Sequence, residues 1–370
     1  MNINKPKIYL QNQKLSLTRI KSMDTVRGIA VFLMLPSHFV QWYLPQIPEY
    51  SWLHFLIISI IAWPLRFCFL TMPAMGVILQ KYIGKRRGID ENILKKIILK
   101  RGILLILIQL FCNFLGWPLF IIWNSFVISF IGISIIISYF ISKYSQRTRI
   151  VLIIVIFIMT PFLKIHFFPL YFNISSFLGS WSIDSFLYNM FLQVDFPIFP
   201  LISYSIFGTI YTERMIKAIE TNSQSKFIKK SIIFGIVLIL AYVILSNFRT
   251  IFNYPDFFLS LPPRQEIIYA FGSVMVYISI FFWIQDWKRL NIKALIPFEI
   301  YGAISLTVFI THYYFFPKLL DLLYNPWGRM GPYSIFNLTL ILNIFYLIYG
   351  IIILRRNKKY SIEWFIRACT

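Results

Sequence analysis

The chain has 370 residues, of which 58% are hydrophobic and 19% aromatic, and its mean hydropathy is +0.70. Soluble domains contain about 45–50% apolar residues, so this composition excludes an ordinary globular or disordered protein and indicates a polytopic membrane protein. The net charge of +22 would suit a nucleic-acid-binding protein. The basic residues nevertheless concentrate between the apolar runs, which is typical of membrane topology. We therefore expect membrane lipid as a partner, and no nucleic acid.

The first apolar run follows a charged start between Arg19 and Leu44, with the sequence RIKSMDTVRGIAVFLMLPSHFVQWYL. Ser22, Asp24 and Thr25 stand ahead of the apolar residues, where their side chains can accept hydrogen bonds from the free amides of a helix start. Because the apolar part carries no formal charge, it predicts the first membrane span.

Arg27 and His38 lie eleven residues apart on this predicted helix. Eleven steps of about 100° return to the same helix face, roughly 16 Å further along the axis. His38 would then lie deep in a hydrocarbon core about 30 Å thick. In one interpretation Arg27 anchors the helix at the interface and His38 is a polar packing residue. In the other, the two residues form one catalytic stripe.

The apolar runs predict an all-α integral membrane protein with about ten transmembrane helices. The expected spans are 26–44, 52–79, 102–117, 119–141, 150–168, 196–212, 230–247, 266–284, 295–317 and 333–354.

An amino terminus inside the cell places 30 of the 36 Lys and Arg residues on the cytoplasmic side of these spans. This asymmetry predicts that both termini are cytoplasmic. We divide the chain into a cytoplasmic basic tail (1–22), a transmembrane domain (23–355) and a second cytoplasmic tail (356–370). The multi-pass protein would lie in the cell membrane if the source is prokaryotic.

The second span contains Arg66 near its middle and His54 at its outer mouth. An arginine at this depth must face protein, water or a ligand. It is either a paired structural residue or one that holds an anion, and His54 is either an interfacial residue or a catalyst.

The chain has three cysteines, and their spacing predicts neither a disulfide framework nor a metal site.

The strongest basic concentration, QKYIGKRRGIDENILKKIILKRG, separates the second and third spans. Such a segment determines topology beside anionic lipid. It also suits the diphosphate of an adenine nucleotide, and the predicted helix start near Asp90 adds free amides.

The longest outer loop, from about Pro169 to Asp195, contains Trp181 and Asp184. Aromatic and carboxylate residues of this kind suit either a saccharide or an interfacial belt.

The first span resembles the start of the catalytic domain of the heparan-alpha-glucosaminide N-acetyltransferase family. The matching residues are Arg19, Ser22, Asp24, Arg27, Gly28, Ile29, Ala30 and Met34. The spacing from Arg27 to His38 also resembles the signature of the neighbouring type 3 membrane acyltransferases. Similar segments recur at the basic entry to the third span and in the sixth and ninth spans. The residues that match there are Phe196, Pro197, Pro200, Gly208, Gly302, Ser305, Leu306, Thr307 and His312.

The resemblance implies a membrane acyltransferase that moves an acyl group, expected to be acetyl, from cytoplasmic acyl-CoA to an acceptor on the outer side. The acceptor would be the hydroxyl or amine of a saccharide or glycolipid. If the donor is acyl-CoA, its phosphates would bind on the basic cytoplasmic rim, where Arg27, Lys100 and Arg101 are the candidates. No metal is expected.

The positions in the spans, together with the resemblance, give the candidate catalytic residues. His38 is the expected base, Arg66 would stabilise the oxyanion, and His312 is a second histidine that faces His38 or is structural. In the lysosomal branch of the family the position of His38 is an asparagine, and the catalytic histidine follows in the outer loop. His54 is therefore the reserve candidate.

Two other classes of protein remain compatible with the sequence. A transporter or lipid flippase also places buried His and Arg residues on kinked helices, and a membrane scaffold would use them structurally. The absence of a convincing internal repeat counts against a transporter built of inverted halves. Homo-oligomerisation is left open by the sequence.

Overall fold

The computed structural model describes residues 20–43, 63–116, 127–172, 191–192, 196–249, 264–324 and 330–370. Within these ranges every regular element is helical, which confirms the predicted all-α fold. The α-helices are α1 Lys21–Tyr43, α2 Trp63–Arg86, α3 Glu91–Gly116, α4 Val127–Ile141, α5 Gln146–Phe172, α6 Ile198–Glu220, α7 Gln224–Arg249, α8 Arg264–Phe281, α9 Ile296–Ala303, α10 Ser305–Ile310, α11 Phe316–Tyr324, α12 Pro332–Arg355 and α13 Ile362–Cys369. Two π-helical turns and one 3-10 turn join some of them: Phe282–Trp287, Thr311–Phe315 and Lys293–Leu295.

Five helical segments among the described residues are long and apolar enough to cross a membrane. They are Leu65–Arg86, Glu91–Leu115, Gln224–Leu245, Ile267–Trp287 and Pro332–Arg355. A sixth span results if Lys293–Ala303 and Ser305–Leu322, which are bent by 68°, form one broken helix. The chain is thus an integral, multi-pass membrane protein. Each of the ten predicted spans overlaps a described helix, while the number ten and the orientation stay predictions.

The start of α1 is capped by a side chain from a distant part of the chain. The carboxylate of Asp286 accepts hydrogen bonds from the backbone amides of Lys21, at 2.9 Å, and Ser22, at 3.0 Å. Asp24, which the sequence offered as a cap, instead pairs with Arg27 at 3.7 Å. A carboxylate at this position satisfies free amides and complements the positive end of the helix dipole.

Helices α1 and α9 approach each other through a pair of glycines. A Cβ atom added to Gly28 would lie 1.8 Å from the carbonyl oxygen of Phe298, and one added to Gly302 would lie 1.9 Å from that of Asp24. Small residues allow such close packing of membrane helices, where van der Waals contact drives association. The glycines of two motifs far apart in the sequence therefore fix α9 against the helix that carries His38.

The helix that carries His312 is broken just before it. Ile304, with φ −121° and ψ 22°, separates α9 from α10. His312 follows in the π-helical turn Thr311–Phe315, a type of turn that is frequent at functional sites. Its side chain is fully buried. The break and the wider turn together aim His312 at α1.

The predicted orientation can be measured with single cysteines at Ser51 and Lys85, in a background that lacks the native cysteines. Because 30 of the 36 basic residues lie on one predicted side, a membrane-impermeant maleimide applied outside intact cells is expected to label position 51 only. Position 85 should react after the membrane is permeabilised. Labelling of position 85 in intact cells, with position 51 protected, would reverse the topology.

Candidate active site

His38 on α1 and His312 on the π-helical turn meet inside the molecule. Nδ1 of His38 lies 3.0 Å from Nε2 of His312. The rings are inclined by only 14° and their centroids are 5.2 Å apart, so the rings meet edge to edge, as an in-plane hydrogen bond requires. The structure thus joins two candidate histidines that lie 274 residues apart in the sequence.

The carbonyl group of Val308 determines which nitrogens carry protons. Nδ1 of His312 lies 2.8 Å from this oxygen, and because a carbonyl only accepts, Nδ1 must donate. In a neutral ring Nε2 of His312 is then an acceptor, so Nδ1 of His38 donates to it. Nε2 of His38 keeps its lone pair, which is the state that a general base requires.

Aromatic rings enclose the histidine pair. Trp42, one helical turn after His38, is inclined by 25° to it with a centroid distance of 5.0 Å. Tyr313 meets His38 edge-on at 5.6 Å, and Phe309 meets His312 in the same way at 5.6 Å. His312 is fully buried while His38 is partly accessible. Of the two histidines, His38 is therefore the more accessible, and its hydrogen bond to His312 fixes the orientation of its ring.

Arg66 lies near the start of α2. Its side chain is exposed, and its guanidinium carbon is 5.2 Å from the centroid of the Phe67 ring. Its charge interacts electrostatically with His38. A guanidinium group in this part of the molecule can stabilise a negative charge that develops on a reacting oxygen.

A cavity of about 540 Å³ opens where α1, α2 and α3 have their basic ends. This volume is in the usual range for small-molecule sites. The charged and polar lining residues are Asp24, Arg27, Gln80, Arg87, Arg101 and Thr370. Three guanidinium groups give the cavity a positive charge that suits an anion, and the carboxylate of Asp24 offsets part of that charge.

Two of the three predicted donor-binding residues, Arg27 and Arg101, line this cavity. Arg101 is held in place because its Nη1 donates to Oε1 of Gln80 at 3.0 Å and its Nε donates to Oγ1 of Thr370 at 3.2 Å. Lys100 is exposed and lies outside the lining. Consecutive helical residues point about 100° apart, so Arg101 and Lys100 cannot face the same cavity equally.

Similar axial lengths separate Arg27 from His38 on α1 and Arg66 from the cavity wall on α2. On α1, Arg27 is eleven residues before His38, which is roughly 16 Å. On α2, Arg66 is ten residues before Gly76 of the cavity wall, which is roughly 15 Å. A ligand that spans from one site to the other must therefore carry an arm of about this length.

Several sequence-based candidates fall elsewhere. His54, Trp181 and Asp184 lie outside the described residues. No group of three or more potential His, Cys, Asp or Glu metal ligands occurs within the part of the chain that the structure describes. Cys68 and Cys112 are buried and free.

The sequence analysis missed three features of the site. Trp42 is four residues after His38, so helical periodicity alone could have placed it beside the imidazole. Arg87 is part of the basic segment between the second and third spans, but the sequence does not indicate that Arg87, rather than a neighbouring basic residue, lines the cavity. No sequence signal indicates that the carbonyl of Val308 orients His312, because every residue has a carbonyl.

The family model described as the catalytic domain of heparan-alpha-glucosaminide N-acetyltransferase matches residues 19–253, well over half of the chain. This range includes every predicted site residue except His312. A comparison with curated proteins finds no match. The matched family is one of transferases, and the helices described above are those of a multi-pass membrane protein. The chain therefore belongs to the heparan-alpha-glucosaminide N-acetyltransferase catalytic-domain family.

Proposed function

We propose that this protein transfers an acetyl group from cytoplasmic acetyl-CoA to the amine or hydroxyl of a saccharide or glycolipid on the other side of the membrane. The observation that carries the proposal is the histidine pair, in which Nε2 of His38 is unprotonated, roughly 16 Å from an arginine-lined cavity. Family membership supports the acetyltransferase class. The acyl donor, the acceptor and the direction of transfer are the proposed parts.

The donor fits the cavity by charge and by length. CoA carries phosphate groups, and planar guanidinium groups bind phosphate through paired hydrogen bonds. Arg27, Arg87 and Arg101 supply three such groups. The pantetheine arm then extends along α1 and α2 and brings the thioester to His38.

His38 performs the proton transfer. Its Nε2 takes a proton from the acceptor nitrogen or oxygen as that atom attacks the thioester carbonyl carbon. The donation from Nδ1 to His312 orients the ring and stabilises the positive charge that it gains. The negative oxygen of the tetrahedral intermediate forms near Arg66. When the carbon–sulfur bond breaks, the thiolate of CoA recovers the proton from His38, and free CoA leaves.

A transient acyl-His38 is the alternative route, in which the imidazole attacks the thioester first. Rapid denaturation at neutral pH after the enzyme is mixed with labelled acetyl-CoA, in the absence of acceptor, separates the two routes. Label bound to protein that disappears on addition of acceptor supports the acyl-histidine. Unlabelled protein that nevertheless turns over supports direct transfer.

The function is tested with protein purified in lipid nanodiscs. Labelled acetyl-CoA is added with or without amino-sugar acceptors, and free CoA and acetylated product are measured. Acceptor-dependent release of CoA, in equal amounts with product, is expected. Movement of a solute or lipid across liposomes without consumption of the thioester would instead establish the rival transporter or flippase.

Arg27→Ala is expected to raise the KM for the donor by about tenfold or more and to weaken CoA binding. A charged hydrogen bond contributes about 1.5–3 kcal/mol, and each 1.4 kcal/mol is a factor of ten in affinity. High salt should reproduce part of this loss in the unaltered protein. Isothermal titration with CoA and steady-state kinetics measure the two effects.

Arg147→Ala is the matched control, because Arg147 is an exposed arginine outside the cavity lining. Lys100→Ala tests whether CoA binds in the cavity or on the exposed basic surface. If it weakens CoA binding as much as Arg27→Ala does, the phosphates lie on the exposed face of α3. Unchanged CoA affinity in folded Arg27→Ala protein would leave Arg27 as an anchor at the membrane interface.

A further inference from the structure

The break between α9 and α10 leaves backbone groups that need partners from elsewhere. A helix end has carbonyls without donors, and a helix start has amides without acceptors. Such groups are costly in a membrane-embedded region unless protein satisfies them. Here the two ends lie on either side of Ile304, and the short helix α10 leads from this break to the turn that carries His312.

Two charged side chains from the end of the described chain occupy these positions. Nζ of Lys358 donates to the carbonyl of Ala303 at 3.0 Å. Oε1 of Glu363 accepts from the amides of Leu306, at 2.7 Å, and Thr307, at 3.1 Å. We call Lys358 and Glu363 the C-terminal clamp. The cation lies at the carbonyl end of one helix and the anion at the amide end of the next, so each complements its helix dipole.

Hydrogen bonds in both directions join Thr307 to the start of α13. The hydroxyl of Thr307 donates to Oε2 of Glu363 at 2.5 Å and accepts from the amide of Ile362 at 2.9 Å. Glu363 therefore caps α10 while Thr307 helps to cap α13. Ile366, one turn later on α13, is buried, which holds the helix against the rest of the molecule.

The position of α10 determines whether the histidine pair forms. Val308, which orients His312, directly follows the clamped Thr307, and His312 is one further turn along the chain. Helix α9, the first half of the broken helix, cannot shift to compensate, because it is packed closely against α1 at Gly28 and Gly302. The angle between α9 and α10 therefore sets the 3.0 Å distance between the two imidazoles, and displacement by about 1 Å would break that hydrogen bond.

We propose that Glu363 is a positioning residue for the reaction: with Lys358 it holds the broken helix at the angle that brings His312 to His38. The proposal rests on the proposed function for its kinetic consequence, but the hydrogen bond between the histidines can be measured in an inactive protein. Neither Glu363 nor Lys358 touches substrate.

The structural test is nitrogen NMR of the protein with labelled histidine, of which the chain has four. His38→Gln and His312→Gln assign the signals. In the unaltered protein, His38 should show a protonated Nδ1 and His312 an unprotonated, hydrogen-bonded Nε2. Glu363→Ala is expected to abolish this hydrogen-bond signature. An unchanged signature in folded Glu363→Ala protein overturns the proposal.

Glu363→Gln keeps an oxygen that can accept from the two amides but lacks the negative charge. It is expected to weaken the signature less than Glu363→Ala, and it replaces that variant if Glu363→Ala does not fold. Glu220→Ala is the matched control, since Glu220 is an exposed carboxylate that accepts from the hydroxyl of Tyr82 at 2.6 Å. It should leave the histidine signals unaltered.

The kinetic test separates positioning from general stability. Glu363→Ala is expected to lower kcat by about 10- to 100-fold and to leave the donor KM within about twofold, because the loss concerns the transition state. In a His312→Ala background, the same change should cost less than about threefold, since the residue that it positions is already absent. An equal loss in both backgrounds overturns the proposal. If the unaltered protein shows no acyl transfer, the proposed function fails and the NMR result alone decides the role of the clamp.

Discussion

His38→Gln is expected to lower kcat for acyl transfer by about 10²- to 10⁴-fold, the range for loss of a general base. Glutamine is similar in size and can fill the space beside Trp42, but its amide cannot take a proton. CoA binding and thermal stability should stay close to those of the unaltered protein. The lost interaction belongs to the transition state rather than to donor binding.

The measurement combines single-turnover transfer of labelled acetyl with titration of CoA. His312→Ala should cost less than His38→Gln, because His312 orients the base without contacting the acceptor. His54→Ala should also cost less. Near-normal turnover of His38→Gln together with an inactive His54→Ala protein would place the catalytic histidine in the outer loop, as in the lysosomal branch of the family, and would refute the assignment to His38.

Gly302→Ala and Gly28→Ala are expected to reduce the yield of folded protein severely and to lower the Tm of what remains. The added methyl carbon would overlap a backbone carbonyl oxygen of the facing helix, at 1.9 Å and 1.8 Å respectively. A backbone atom cannot rotate away as a side chain can, so α1 and α9 must separate. Overpacking of an interior commonly costs about 1–3 kcal/mol, and a backbone clash belongs at the high end or beyond.

Size-exclusion chromatography and thermal unfolding in detergent measure this effect. Gly76→Ala is the matched control, because a Cβ atom at this helical position meets nothing within 4 Å. It should be as stable as the unaltered protein. Equal Tm values for Gly302→Ala and Gly76→Ala would show that α1 and α9 do not approach as closely as described.

The sequence predicted correctly those features that depend on composition or on residues close together in the chain. Composition and the lengths of the apolar runs indicated a helical multi-pass membrane protein, because the lipid core requires helices of about 20 apolar residues. Helical periodicity placed Arg27 and His38 on one face, and the structure shows the cavity and the histidine pair at these two levels. The residues around Gly28 carried the family resemblance that the comparison confirms over residues 19–253.

The capping residues show why local reasoning was incomplete. Ser22, Asp24 and Thr25 are suitable caps by type and position, yet Asp286 accepts the hydrogen bonds of the first amides of α1. Lys358 and Glu363 were assigned to a tail, although they complete the break before α10. In both cases the partner is far away in sequence, so no window of neighbouring residues contains the information.

The sequence by itself determined the class of the protein, its approximate spans, the family and the candidates Arg27, His38 and Arg101. Only the tertiary structure decided that His38 meets His312 and that the hydrogen bond leaves Nε2 of His38 without a proton. The physical reason is that a hydrogen bond between two helices depends on their distance, bend and rotation to within a fraction of an ångström. Those quantities arise from the Gly28–Gly302 contact, the break at Ile304 and the π-helical turn acting together.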